Sequence, residues 1–229
     1  YTEGAYCDYI GKTEEEKDFA ATVYEQWSSD FSNSASRRFI EEDGDGYSSH
    51  FDKGFNLKIY RKNIYAWSVN PQYQYKNLHV DAVIDFSACK KIIPETISSS
   101  DSKAGVCAFG FLLRYIDEAN HLSVLLSDKG FFRIDAVFNG NQIPLIGWTE
   151  APPMQGKYEK QYEKNHIPIQ IILNDTSIAL IINCTLALLL DDDTIQSEGY
   201  TAFAGQNWDD YEEVSACLKF ISIESRDVQ

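Results

Sequence analysis

Residues 105–148 read GVCAFGFLLRYIDEANHLSVLLSDKGFFRIDAVFNGNQIPLIGW, and this stretch decides the fold class. Cys107, Phe109, Phe111, Leu113 and Tyr115 alternate with Ala108, Gly110, Leu112 and Arg114. Leu122, Val124 and Leu126 alternate with His121, Ser123 and Leu125, and Phe132, Ile134, Ala136 and Phe138 with Arg133, Asp135 and Val137. A period of two sends successive side chains to opposite faces of a sheet. The interruptions at residues 117–120, 127–130 and 139–141 carry the Asp, Asn and Gly that tight reversals need. The stretch is therefore an antiparallel meander of three strands.

The same alternation extends outward. Short strands are expected at 47–51, 55–60 and 64–69, separated by turns at 52–54 and 61–63. Residues 78–86 place Val80, Ala82, Ile84 and Phe86 inward, with Asp81 and Asp85 outward. Residues 94–103 are Ser-rich and read as a loop, and 149–165 as a long connection. Beyond it lie apolar strands at 167–173 and 178–190, the second divided near Asn183, then strands at 200–205 and 214–223. Many short strands at such spacing predict an all-β sandwich of two antiparallel sheets.

The expected exception is a helix over residues 13–27. Thr13 and Glu16 form a capping box, and Phe19, Val23 and Trp27 make one apolar stripe. We therefore divide the chain into an arm and helix, residues 1–38, packed on a sandwich at 39–229.

Composition narrows the function. The chain has 229 residues, 44% hydrophobic and 14% aromatic, enough for a large core. Its formal charge of -15 opposes nucleic acid and anionic membranes as partners. No stretch has the roughly 20 apolar residues of a transmembrane helix. The chain opens on Tyr1 rather than Met, so we expect a processed, extracytoplasmic product. None of the five cysteines forms a CxxC pair. Cys107 and Cys184 read as small buried thiols, while Cys7 and Cys89 are the candidates to bridge.

Few residues suggest chemistry. Glu41, Asp43 and Asp45 alternate before Gly46, a spacing that supplies oxygens for calcium but lacks flanking helices. An acidic turn is the simpler reading, and no other cofactor is expected. Residues 191–193, followed by Glu198, read as a solvated acidic turn. The four histidines have no metal-ligand spacing, and no GxSxG elbow occurs. No alternating carboxylates of the ExDxE kind mark a glycosidase pair. The aromatic surplus is more suggestive. Tyr60, Tyr65, Trp67, Tyr73 and Tyr75 crowd one region, and Trp148 and Trp208 stand near loops. Rings stack on the apolar faces of sugars while polar neighbours take the hydroxyls.

Several segments together resemble a known superfamily. They are residues 46–67 with a Tyr-led strand and Tyr65-Ala66-Trp67-Ser68, residues 109–115 followed by Asp117 and Asn120, Gly130-Phe131-Phe132, Ile146-Gly147-Trp148, and residues 199–205, GYTAFAG. This order resembles the concanavalin A-like lectin/glucanase superfamily, in particular its bacterial laminin-G-like and keto-disaccharide-hydrolase-like branch, over residues 39–225. The resemblance implies an exported jelly roll whose members bind glycans, mediate contacts or hydrolyse glycosidic bonds. It implies a ligand on a concave sheet face or its rim loops. The expectation is a non-catalytic carbohydrate-binding module with Tyr65, Trp67, Arg114, Trp148 and Trp208 at the ligand. A glycoside hydrolase and a protein–protein or structural sandwich are the alternatives.

Overall fold

The computed structural model describes residues 25–92, 107–154, 162–163, 165–208 and 213–225. Among them are fifteen strands: β1 (Glu25–Ser29), β2 (Glu42–Gly44), β3 (Tyr47–Phe51), β4 (Phe55–Ile59), β5 (Ile64–Tyr75), β6 (Leu78–Asp85), β7 (Cys107–Asp117), β8 (Asn120–Ser127), β9 (Phe131–Phe138), β10 (Asn141–Glu150), β11 (His166–Asn174), β12 (Ser177–Ile182), β13 (Thr185–Asp191), β14 (Gly199–Asn207) and β15 (Val214–Ser225). One α-helix, α1 (Ser87–Ile92), leads out of β6 and packs against β15.

The strands form two antiparallel sheets. The larger runs β13-β12-β11-β6-β15-β4-β3-β2, with β1 on the free stretch of β15 beyond β4. The smaller runs β10-β9-β8-β7-β14-β5. The expected meander is therefore present, extended by a fourth strand, β10. Its inward residues behave as the alternation requires: Phe109, Phe111, Leu122, Val124, Phe132 and Ile134 are buried in one core. Val80, Ala82, Ile84, Ile169, Ile171, Leu218 and Ile221 oppose them from the larger sheet. Burying one such side chain stabilises by about 2 kcal/mol, so the layered core dominates the folding energy.

Four expectations are corrected. The end of the expected helix, Glu25 to Trp27, is strand β1, in register with Ser225 to Ile223 of β15. Pairing along β15 captures this segment, and Trp27 enters the core as a strand residue. The rest of that helix, with the loop over 94–103, lies outside the described residues. The sandwich thus includes chain upstream of Phe39.

The second correction concerns cysteine. Cys89 of α1 is bonded to Cys107 at the start of β7, 18 residues away in sequence. Both are buried, and the bond ties α1, which packs against β15, to the first residue of β7. Cys184 is also disulfide-bonded. Cys217 is a buried free thiol, and burial pushes its pKa up to about 11. Cys7 lies outside the described residues.

The third is the phase of β7. Arg114 has a positive φ of 49°, and the register with β8 slips between Leu113 and Asp117. Against β14 the three steps of β7 from Leu112 to Tyr115 face two of β14, so one residue is inserted there and the faces exchange beyond it. Arg114 turns inward and becomes wholly buried, and Tyr115 emerges on the outer face instead of following Leu113 into the core. Gly199 makes this possible, since a Cβ there would stand 2.3 Å from the Arg114 carbonyl carbon.

The fourth is the role of Arg114. Its Nε donates to the carbonyl of Lys76 at 2.9 Å, Nη1 to that of Ile195 at 2.6 Å and Nη2 to that of Asp175 at 2.6 Å. It is wholly buried and so is not at a ligand surface as expected. It ties together the β5–β6 turn, the β11–β12 turn and the crossover from β13 to β14.

The outer face of the larger sheet holds Asp81, opposite Gln170 and Ser222. Burial, opposed by a hydrogen bond from Gln170 and assisted by Glu224, raises its pKa to about 6. Among the described residues, no helix is long and apolar enough to cross a membrane.

Two outcomes follow from these placements. Arg114→Ala leaves three carbonyls without their donor and should lower stability by about 4 kcal/mol, read as the urea midpoint of tryptophan fluorescence. An unchanged midpoint would show the clamp to be idle. For Asp81 the native state holds the proton more tightly than the unfolded chain. Its contribution is therefore full below pH 4 and is lost as pH rises through about 6. Asp81→Asn should gain on wild type by about 3 kcal/mol between those limits, a difference that vanishes if Asp81 titrates normally.

Candidate functional site

The outer face of the smaller sheet carries the candidate site. Small residues make its floor. Ala202 and Ala204 of β14 stand beside Leu112 and Gly110 of β7, and Leu112, Ala202 and Ala204 are fully buried. What covers them is a row of rings, half-buried at Tyr65, Trp67 and Tyr115 and buried at His121. Tyr65 and Trp67 of β5 have centroids 5.8 Å apart, Trp67 and Tyr115 5.9 Å, and Tyr115 and His121 of β8 5.9 Å. Alternation on β5 turns Ala66 into the core and so turns Tyr65 and Trp67 out.

The face is concave. Tyr65 and Ser123 stand three strand steps apart, about 14 Å across a flat sheet, and are offset by four residues along it, since Tyr65 is level with Ser127. Their hydroxyls nevertheless meet at 3.0 Å. The Tyr65 ring lies across the alanine floor and the sheet curls toward it. Burial holds the Tyr65 phenol protonated far above its ordinary range.

Beyond Ser123 the face becomes polar. Ser123 is in register with Asp135 of β9. Asp135 is 3% exposed; Arg133 Nη2 donates to its Oδ1 at 2.8 Å, and Nε lies 2.7 Å from Oδ2 as an ion pair without hydrogen-bond geometry. His121 is buried beside them, with Nδ1 3.2 Å from the Asp117 carbonyl. Burial lowers its pKa, so it is neutral near pH 7 and that ring nitrogen donates. Away from the hairpin at 117–120, Asp135 is the one carboxylate at the described outward positions of β5, β14, β7, β8 and β9.

The residues expected at the ligand separate into three places. Tyr65 and Trp67 are on this face. Trp148 and Trp208 form a second pair, 6.0 Å apart and edge-on, with Trp148 on β10 in the stretch opposite Phe132 to Ile134. Arg114 is inside the sandwich with no surface to offer a ligand. Ser123, Arg133 and Asp135 were not expected. Their alternation with core residues already assigned them to the outer face, but nothing local sets them apart from solvated positions.

The acidic candidates Glu41, Asp43 and Asp45 do not converge. Glu41 accepts the Phe51 N–H at 2.9 Å, Asp45 pairs with Arg61, and Asp43 lies in β2. Among the described residues no three His, Cys, Asp or Glu are grouped as a metal would require.

No family model matches the chain. A carbohydrate-binding module, CBM66 of Bacillus subtilis, superposes with a TM-score of 0.53 at 12% identity over 79% of this chain and 96% of its own. A transglycosylase in its apo form gives 0.61 at 11%, over 90% and 86%, and the β-glucanase of Bacillus licheniformis 0.57 at 8%, over 88% and 98%. This chain shares the two-sheet jelly-roll fold of these proteins. In sequence, a TPR repeat-containing protein of Treponema pallidum (strain Nichols) is 31% identical over 245 residues. The match takes in 91% of this chain, which spans 29% of that protein's length.

The Tyr65–Ser123 contact is the feature that closes the face. Tyr65→Phe should cost about 1 kcal/mol, and a cycle with Ser123→Ala should show coupling of similar size in thermal unfolding. Additive losses would mean the two hydroxyls do not act together.

Proposed function

We propose that this domain is a non-catalytic carbohydrate-binding module that works outside the cytoplasm. The observation that carries the reading is the make-up of the concave face. Half-buried rings lie over an apolar floor, and a buried polar group sits immediately beside them. A sugar ring has the same division, with C–H faces for the rings and hydroxyls for the polar group. Among its fold neighbours are a carbohydrate-binding module and a glucanase, which makes a glycan the first ligand class to test.

Binding is favoured over hydrolysis by the carboxylates. Both hydrolytic routes need two carboxyl groups about 5 to 10 Å apart. Asp135 stands alone on the described part of the face and its oxygens are already engaged by Arg133. The disulfide of Cys89 with Cys107 supports an oxidising compartment. The net charge of -15 opposes nucleic acid and anionic lipid as partners.

The test is a glycan array followed by calorimetry on the hits. At least one oligosaccharide should bind, and Trp67→Ala should weaken it about tenfold while the protein stays folded by circular dichroism. Silence across the array at millimolar protein would remove the proposal.

A further inference from the structure

We infer that the Arg133–Asp135 fork reads the ligand, and that the ligand is an uncharged sugar presenting two neighbouring hydroxyls. This deepens the carbohydrate reading and rests on it.

The argument begins with the placement of the pair. Arg133 and Asp135 are two apart on β9 and share its outer face, while Phe132, Ile134 and Ala136 fill the core behind them. Nothing in the core requires a charge there. Taking an ion pair out of water is costly, and an apolar pair of like volume commonly serves stability as well or better. Yet Asp135 is 3% exposed and the Arg133 side chain 25% exposed. The pair therefore has little to do for the fold and a geometry suited to recognition.

Its remaining valences set the chemistry. One N–H of Arg133, on Nη2, is donated to Asp135, the buried Nε makes no hydrogen bond, and each carboxylate oxygen has a lone pair to spare. The fork thus offers donors and acceptors side by side. Adjacent sugar hydroxyls, which donate and accept, can satisfy both together. Ser123 in register with Asp135 adds another hydroxyl, and Trp148 occupies the neighbouring strand at the level of Arg133.

The net charge of the fork is zero. A uronate or sulfate would have to compete with Asp135 for the guanidinium, beside a buried carboxylate and on a chain of charge -15. Like charge this close and this desolvated opposes binding strongly. An uncharged diol displaces nothing.

The experiment pairs neutral gluco- and xylo-oligosaccharides with oligogalacturonate and a sulfated glycan, by calorimetry at low and at 0.5 M NaCl. Neutral oligosaccharides should bind with affinity unchanged by salt. Arg133→Lys and Asp135→Asn should each weaken binding tenfold or more. The paired replacement Arg133→Met with Asp135→Leu should keep the thermal midpoint and abolish binding. Preference for the acidic glycans, with affinity falling as salt rises, overturns the inference and leaves the carbohydrate reading intact. So does neutral binding that survives the folded Met/Leu variant. Absence of binding to every sugar, with wild type folded, defeats both.

Discussion

A single guanidinium, sealed inside the sandwich, holds one hairpin turn of the larger sheet against the two connections that pass between the sheets. Arg114 leaves the smaller sheet at a left-handed residue and reaches carbonyls of Lys76, Asp175 and Ile195, in three connections far apart in sequence. Burial pulls its pKa down, and the nearby carboxylates of Asp175 and Asp192 oppose that pull. The cation persists because all three edges of its plane are met by oxygen. The turns are ordered by the cation and the cation is solvated by the turns.

That contact also determines what the outer face displays. The bulge that sends Arg114 inward brings Tyr115 outward, where it meets Trp67 and His121. Without the slip, Tyr115 would follow Leu113 into the core and the ring row would end at Trp67. Gly199 belongs to the same arrangement, because β14 passes the bulge at a distance that excludes a Cβ. Scaffold and site are two faces of one irregularity in β7.

The site has a simple physical division. Alanines and glycine keep its floor low, so Tyr65 can lie across it to Ser123. Beyond Ser123 the surface turns from rings to a paired, neutral set of polar atoms. Strands set the floor rigidly, and one long side chain bridges the hollow they form. A flat sheet with larger floor residues would hold Tyr65 upright and leave Ser123 to water.

The strands were legible wherever apolar residues recur at every second position, as in β7 to β9, because a period of two records which side chains share a face. The hairpin turns were legible because their Asp, Asn and Gly answer to local backbone geometry. The rings Tyr65 and Trp67 could be named for the same reason, since they alternate with the buried Ala66. The sequence did not reveal that residues 25–27 pair with β15, that Cys89 meets Cys107, or that Arg114 is interior. Nor did it reveal that Arg133, Asp135 and Ser123 converge. Alternation states which face a residue takes, and contacts between strands distant in sequence depend on register and curvature. By itself, then, the sequence determined two antiparallel layers and the side of each strand that faces water. Only the tertiary structure decided which outward residues meet, because the curl of the sheet and the slip at Arg114 are properties of strands packed together.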